Sequence, residues 1–128
     1  MADKTKILMI DDEKDFTHFM KLNLESTEEF EVCVTDSGSQ GIQLAKKERP
    51  DLILLDIFMP EMDGTAVAEK LLEDLSTKDI PIIFVTAVVT KQDVVSKGGL
   101  IGGRHVLAKP VTTQEMISSI RMVLQEAA

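Results

Sequence analysis

The chain has 128 residues, 44% hydrophobic and 28% charged, with a formal net charge of −8. That length fits one domain able to bury roughly two thirds of its unfolded surface, so no disulfide or structural metal is needed to fold it. The acidic balance, with no basic cluster, argues against direct nucleic-acid binding, and no apolar run reaches the length of a membrane helix.

The elements follow in chain order. KILMI (6–10) reads as a strand, and the charges that follow it at once are unlike a signal peptide, so a cytoplasmic protein is expected. Over 14–26, Phe16, Phe19, Met20 and Leu24 recur on one helical face. FEVCV (30–34) is a second strand, in which the lone Cys33 reads as a small core residue of a reducing compartment. Ile42, Leu44 and Ala45 give a weaker helical stripe over 39–49, and LILLD (52–56) is a third strand. Over 64–75, Val67, Ala68, Leu71, Leu72 and Leu75 recur at helical spacing before a fourth strand, PIIFV (81–85).

The segment 90–103 starts as a helix, but Gly98, Gly99, Gly102 and Gly103 oppose one. It is expected to hold a short or mobile fourth helix, or glycine C-caps with a bulged loop. RHVLA (104–108) is a fifth strand. A last helix over 112–126 carries Met116, Ile117, Ile120 and Leu124, with Thr112 and Thr113 as N-caps and Glu115 close behind. Continuous apolar strands alternating with amphipathic helices imply five βα units, a parallel sheet covered on both faces and right-handed crossovers.

Ligands of such sheets bind beyond the carboxyl ends of the strands. There the strands deliver Asp11 and Asp12, Asp56, Thr86, and Lys109 with Pro110. Taken singly, Asp12 reads as a helix cap, Thr86 as a turn residue and Lys109 as a solvated lysine. Caps alone would not gather a lysine and three carboxylates at one sheet edge. Carboxylates that close repel one another, and a divalent cation relieves the repulsion. With oxygen ligands only and no His or Cys nearby, Mg2+ is the expected ion. A hard cation, a lysine and a hydroxyl suit a phosphoryl group, and Asp56 is placed to accept it as an aspartyl phosphate.

The strings MIDDE (9–13), LLDIFMPEMDG (54–64), FVTA (84–87) and LAKPV (107–111) resemble the receiver domains of two-component response regulators, the CheY-like group. The resemblance covers essentially the whole chain. It implies a flavodoxin-like α/β fold with strand order 2-1-3-4-5. With only one helix after Val111, a single receiver over 1–128 with no output domain is expected. By the same resemblance, Asp56 takes its phosphoryl group from the phosphohistidine of a sensor histidine kinase or phosphotransfer protein. Asp11, Asp12, Asp56 and the Phe58 carbonyl would hold Mg2+, Asp11 partly through water. Thr86 and Lys109 would contact the phosphoryl oxygens, Ala87 would leave access, and the bond before Pro110 would be cis. Output would pass to an unidentified protein through the fourth helix, fifth strand and fifth helix, or by phosphorelay.

The chain departs from the pattern at three places. Val106 stands where receivers commonly carry Tyr or Phe, and His105 beside it reads as a partly exposed strand residue rather than a substitute switch. The glycine-rich SKGGLIGG (96–103) is the second departure. The third is the apolar pair Phe58 and Val88, where many receivers place polar side chains that guide hydrolytic water; here they are expected to exclude it. Two other readings compete. A haloacid dehalogenase-type phosphatase would need a second Asp where Phe58 stands. A pseudo-receiver that binds partners without phosphorylation fits the missing aromatic but not the complete set of acids, Thr and Lys.

Overall fold

A computed structural model describes residues 3–101 and 103–127. Its elements are β1 (Thr5–Ile10), α1 (Lys14–Glu25), β2 (Phe30–Thr35), α2 (Gly38–Glu48), β3 (Leu52–Leu55), α3 (Gly64–Glu73), β4 (Ile82–Thr86), α4 (Lys91–Ser96), β5 (Leu100–Ile101), β6 (Arg104–Ala108) and α5 (Thr113–Ala127). They form one sheet of order β2-β1-β3-β4-β6-β5. All pairings are parallel except β5 with β6. The expected order 2-1-3-4 is present, and the expected fifth strand is β6, beside β4.

Strand alternation explains the continuous apolar runs. Ile7 and Met9 of β1 pack with α1 and α5 residues such as Met20, Met116 and Ile120. Leu8 and Ile10 face the other way, onto Ile42, Val67 and Leu71 of α2 and α3. Both faces of the central strands are therefore buried, and each such side chain contributes about 1.5–3 kcal/mol.

A short extra strand adds to the five expected. After α4, Gly98 (φ 66) and Gly99 (φ 83) take left-handed backbone, which a side chain would strain. Their amides bond back to the carbonyls of Val95 and Val94, ending the helix after six residues. The short helix and the glycine caps thus occur together. Gly103 (φ 80) then turns the chain so that Leu100 and Ile101 pair antiparallel with His105 and Arg104. A two-residue strand stands where a bulged loop was expected. Gly102 lies outside the described residues.

One smaller correction has a local cause. α3 stops at Glu73 rather than continuing to residue 75, and Leu75 is 84% exposed. The Asp74 carboxylate accepts from Ser76 N (2.8 Å) and Ser76 Oγ, and Thr77 Oγ1 donates to the Leu71 carbonyl (2.6 Å). These side-chain bonds offer the backbone an alternative to another helical turn. Phe19 is exposed rather than on the core stripe, and Cys33 is half-buried.

Candidate metal centre

The ladder itself sets the site. Asp11 N donates to Thr35 O (3.0 Å), Asp56 N to Ile10 O (3.0 Å) and Lys109 N to Thr86 O (2.9 Å). Each residue just past a strand is thus tied to the neighbouring strand, and its side chain starts from a fixed backbone. Asp11, Asp56 and Thr86 are buried, and Asp12 is partly exposed. Asp11, Asp12 and Asp56 each offer a carboxylate oxygen within 4.8 Å of the other two. The Lys109 ammonium is 2.9 Å from Asp11 Oδ2 and 3.8 Å from Asp56 Oδ2, and its side chain is only 9% exposed. The sequence-predicted acids and lysine therefore converge.

The loop after β3 is held by a close approach. A methyl on Gly64 would stand 2.0 Å from the Asp56 carbonyl oxygen, so only glycine lets α3 begin there. Gly64 N donates to Ile57 O (2.6 Å), and the Asp63 carboxylate caps α3 through Thr65 N (3.0 Å). The helix start braces the backbone of Asp56.

Electrostatics follow from burial. Desolvation, with the charge of Asp11 adding to it, pushes the Asp56 carboxyl up to about 6, while Lys109 pulls the other way. Burial also raises Asp11, opposed by the Glu13 amide and Lys109. Burial would lower Lys109, but hydrogen bonds from its ammonium to Glu13 and Asp11 outweigh it and leave the group raised. A cluster that resists holding all its negative charge, built only of hard oxygen donors, fits a divalent cation such as Mg2+.

Thr86 Oγ1 accepts from Val88 N at 3.3 Å, and among the described residues its hydroxyl proton has no acceptor. The Lys109–Pro110 bond is cis, as the resemblance implied. Phe58 and Val88 lie on the loops after Asp56 and Thr86 with exposed side chains, and Ala87 is exposed as well. Val106 is buried on the α2–α3 face with Phe84. His105 is half-buried on the opposite face, its Nε2 3.6 Å from Glu126 Oε1 of α5, as a strand residue would be.

Two contacts escaped the sequence reading. Glu13 pairs with the Lys109 ammonium, and the Phe16 ring centroid lies 4.6 Å from it. Glu13 directly follows two acids and opens a helix, where an acid is ordinarily read as complementing the helix dipole. The signal that could have exposed it is the surplus: two acids already serve the site, and a third beside them needs a partner.

A profile of the response regulator receiver domain matches residues 7–121. Among curated proteins, the chain is 35% identical over 120 residues to the DNA-binding dual master transcriptional regulator RpaA of Synechocystis, covering 94% of this chain and 49% of that one. It thus spans about half the length of that relative. It is 34% identical over 119 residues to Protein PilH of Pseudomonas aeruginosa, covering 93% of this chain and 97% of that one. Among solved structures, a CheY-like response regulator receiver domain protein of Methanospirillum hungatei superposes with TM-score 0.80 at 27% identity, over 98% of this chain and 97% of that one. The receiver domain of sensor histidine kinase PA1611 from Pseudomonas aeruginosa, solved with a magnesium ion in its active site cleft, shares the fold. Its TM-score is 0.80 at 22% identity, over 96% of this chain and 99% of that one. Among the described residues, no helix is long and apolar enough to cross a membrane.

Proposed function

Because the chain belongs to the response regulator receiver domain family, we propose that Asp56 accepts a phosphoryl group from the phosphohistidine of a sensor histidine kinase or phosphotransfer protein. The observation that carries this reading is the buried Asp56 carboxylate, with two further carboxylates within 4.8 Å and the Lys109 ammonium 3.8 Å away. A bond forms from an Asp56 carboxylate oxygen to phosphorus as the phosphorus–imidazole nitrogen bond breaks. The imidazole leaves with the electron pair and takes up a proton. Asp11, Asp12, Asp56 and the Phe58 carbonyl would hold Mg2+. When bound, the ion neutralises the acidic cluster and the oxygens of the transferring group. Lys109 supplies a point charge to those oxygens, and the free hydroxyl proton of Thr86 supplies a hydrogen bond.

The response then passes through the β4–α4 loop. Thr86 Oγ1 is already bonded to Val88 N, so movement of the hydroxyl toward a phosphoryl oxygen pulls the loop entering α4. No residue of α4 is buried, which makes it the element easiest to displace. A downstream protein target reads that change over α4, β6 and α5. Direct nucleic-acid contact by the domain is disfavoured by the net charge of −8. The domain acts as one unit over 1–128, in the cytoplasm. It is a phosphoacceptor rather than a turnover enzyme. The residue a phosphatase would use as acid is Phe58, which carries no proton to give.

The aliphatic, buried Val106 favours one second reading, a binding module that does not need phosphorylation. Intact-mass measurement after incubation with acetyl phosphate and Mg2+ separates the two. One added phosphoryl group on the wild type and none on Asp56→Asn supports the acceptor; no addition to either supports the binding module.

A further inference from the structure

Glu13 has no part in the proposed phosphoryl transfer. It stands at the N-terminal boundary of α1, yet its side chain makes no cap bond there. It pairs with Lys109 Nζ instead, which also lies 2.9 Å from Asp11 Oδ2 and 3.8 Å from Asp56 Oδ2. The Phe16 ring lies 4.6 Å from the same ammonium. Three groups of the β1–α1 segment therefore hold the lysine, and the acceptor lies beyond hydrogen-bond reach.

Resting on the reading of Asp56 as phosphoryl acceptor, we propose that Glu13 is a positioning residue: it parks the Lys109 ammonium away from Asp56 until an arriving phosphoryl group takes it. The two partners divide the task by burial. The Asp11 side chain is 4% exposed and keeps Lys109 in the site, whereas Glu13 is 59% exposed. Solvent screens the Glu13 pair, and exposed pairs of this kind shift equilibria only roughly two- to fivefold. That hold biases where the ammonium rests without trapping it. The flexible lysine stem allows the swing, and the Phe16 ring offers the cation a favourable surface during it.

Two substitutions distinguish parking from plain charge. Glu13→Gln removes the charge; Glu13→Asp keeps it on a side chain one methylene too short to reach. Both variants are expected to take up phosphoryl from subsaturating acetyl phosphate roughly two- to fivefold faster than wild type at saturating Mg2+. If only Glu13→Gln gains, bulk site charge is responsible and the parking role is overturned; equal or slower rates in both overturn it too. In a Lys109→Met background, the gain from Glu13→Gln must vanish, and a surviving gain rejects coupling through the lysine. The ζ-ammonium resonance of Lys109, followed by nitrogen-15 NMR without donor, reads the pairing directly. It is expected to be protected from solvent exchange in wild type and to lose protection in both variants; unchanged protection in Glu13→Asp overturns the pairing. That signal needs no phosphoryl transfer, so failure of Asp56 to accept a phosphoryl group would be seen separately.

Discussion

The two halves of the sheet are built to different standards. β1 and β3 lie between neighbours on both sides, and all of Leu52–Leu55 is buried; their ends carry Asp11, Asp12 and Asp56. Between β4 and β6 the chain changes character: α4 buries nothing, its end depends on left-handed glycines, and the edge is a two-residue strand. The carboxylates stand on the rigid half; if Asp56 is the acceptor proposed above, it and its charged neighbours must hold their spacing. The segment that can rearrange is flanked by Thr86 and Lys109, and the Lys109 ammonium meets the carboxylates. On the proposed reading, rigidity falls where the phosphoryl bond would form and looseness where the change would be displayed.

The largest effect that would break the comparison is in the core. Leu54→Ala should cost about 2–5 kcal/mol in urea unfolding, whereas Val95→Ala on α4, 77% exposed, should cost under about 0.5 kcal/mol. Comparable losses at both would erase the distinction. Next is the brace. Gly64→Ala forces a methyl against the Asp56 carbonyl and should cost about 1–3 kcal/mol, with slower phosphoryl uptake; an unchanged unfolding midpoint would show that α3 shifts freely.

The acidic cluster itself opposes folding without metal. Asp56 is raised from 3.8 to about 6, so its charged form is disfavoured in the folded state. The stability linked to it is present below about pH 4 and lost as pH rises through about 6, at most about 3 kcal/mol and less where solvent screens the site. Metal-free wild type should therefore become less stable from pH 4.5 to 7 relative to Asp56→Asn, and Asp56→Asn should be the more stable at pH 7. Parallel urea profiles for the two would remove the electrostatic basis of the site.

The smallest effect concerns lifetime. Phe58 and Val88 should keep water from the aspartyl phosphate, so Phe58→Asn combined with Val88→Glu should speed phosphate loss several-fold; an unchanged or slower rate counts against water exclusion.

The site was legible in sequence because its residues sit where apolar strands stop, and a carboxylate after LILL has few other reasons to be there. The parallel core was legible for a similar reason: runs such as Ile7–Ile10 are apolar on both faces. What stayed hidden depends on side chains meeting across distance or on local competition for the backbone. Glu13 looks like any helix-opening acid until Lys109 arrives from the far end of the chain. Leu75 keeps helical spacing, but Asp74 and Ser76 end the helix before it. The glycines of 98–103 announced irregularity without saying that the backbone would double back into a strand.

Titration of phosphoryl uptake against Mg2+, with the modified residue located by peptide mapping, tests the convergence of Asp11, Asp12, Asp56, Thr86 and Lys109 most directly. Uptake at Asp56 that saturates with Mg2+, is abolished by chelation and needs more Mg2+ in Asp11→Asn is the predicted result. Uptake that is equal with and without Mg2+, or a phosphoryl group found on a residue other than Asp56, would contradict it.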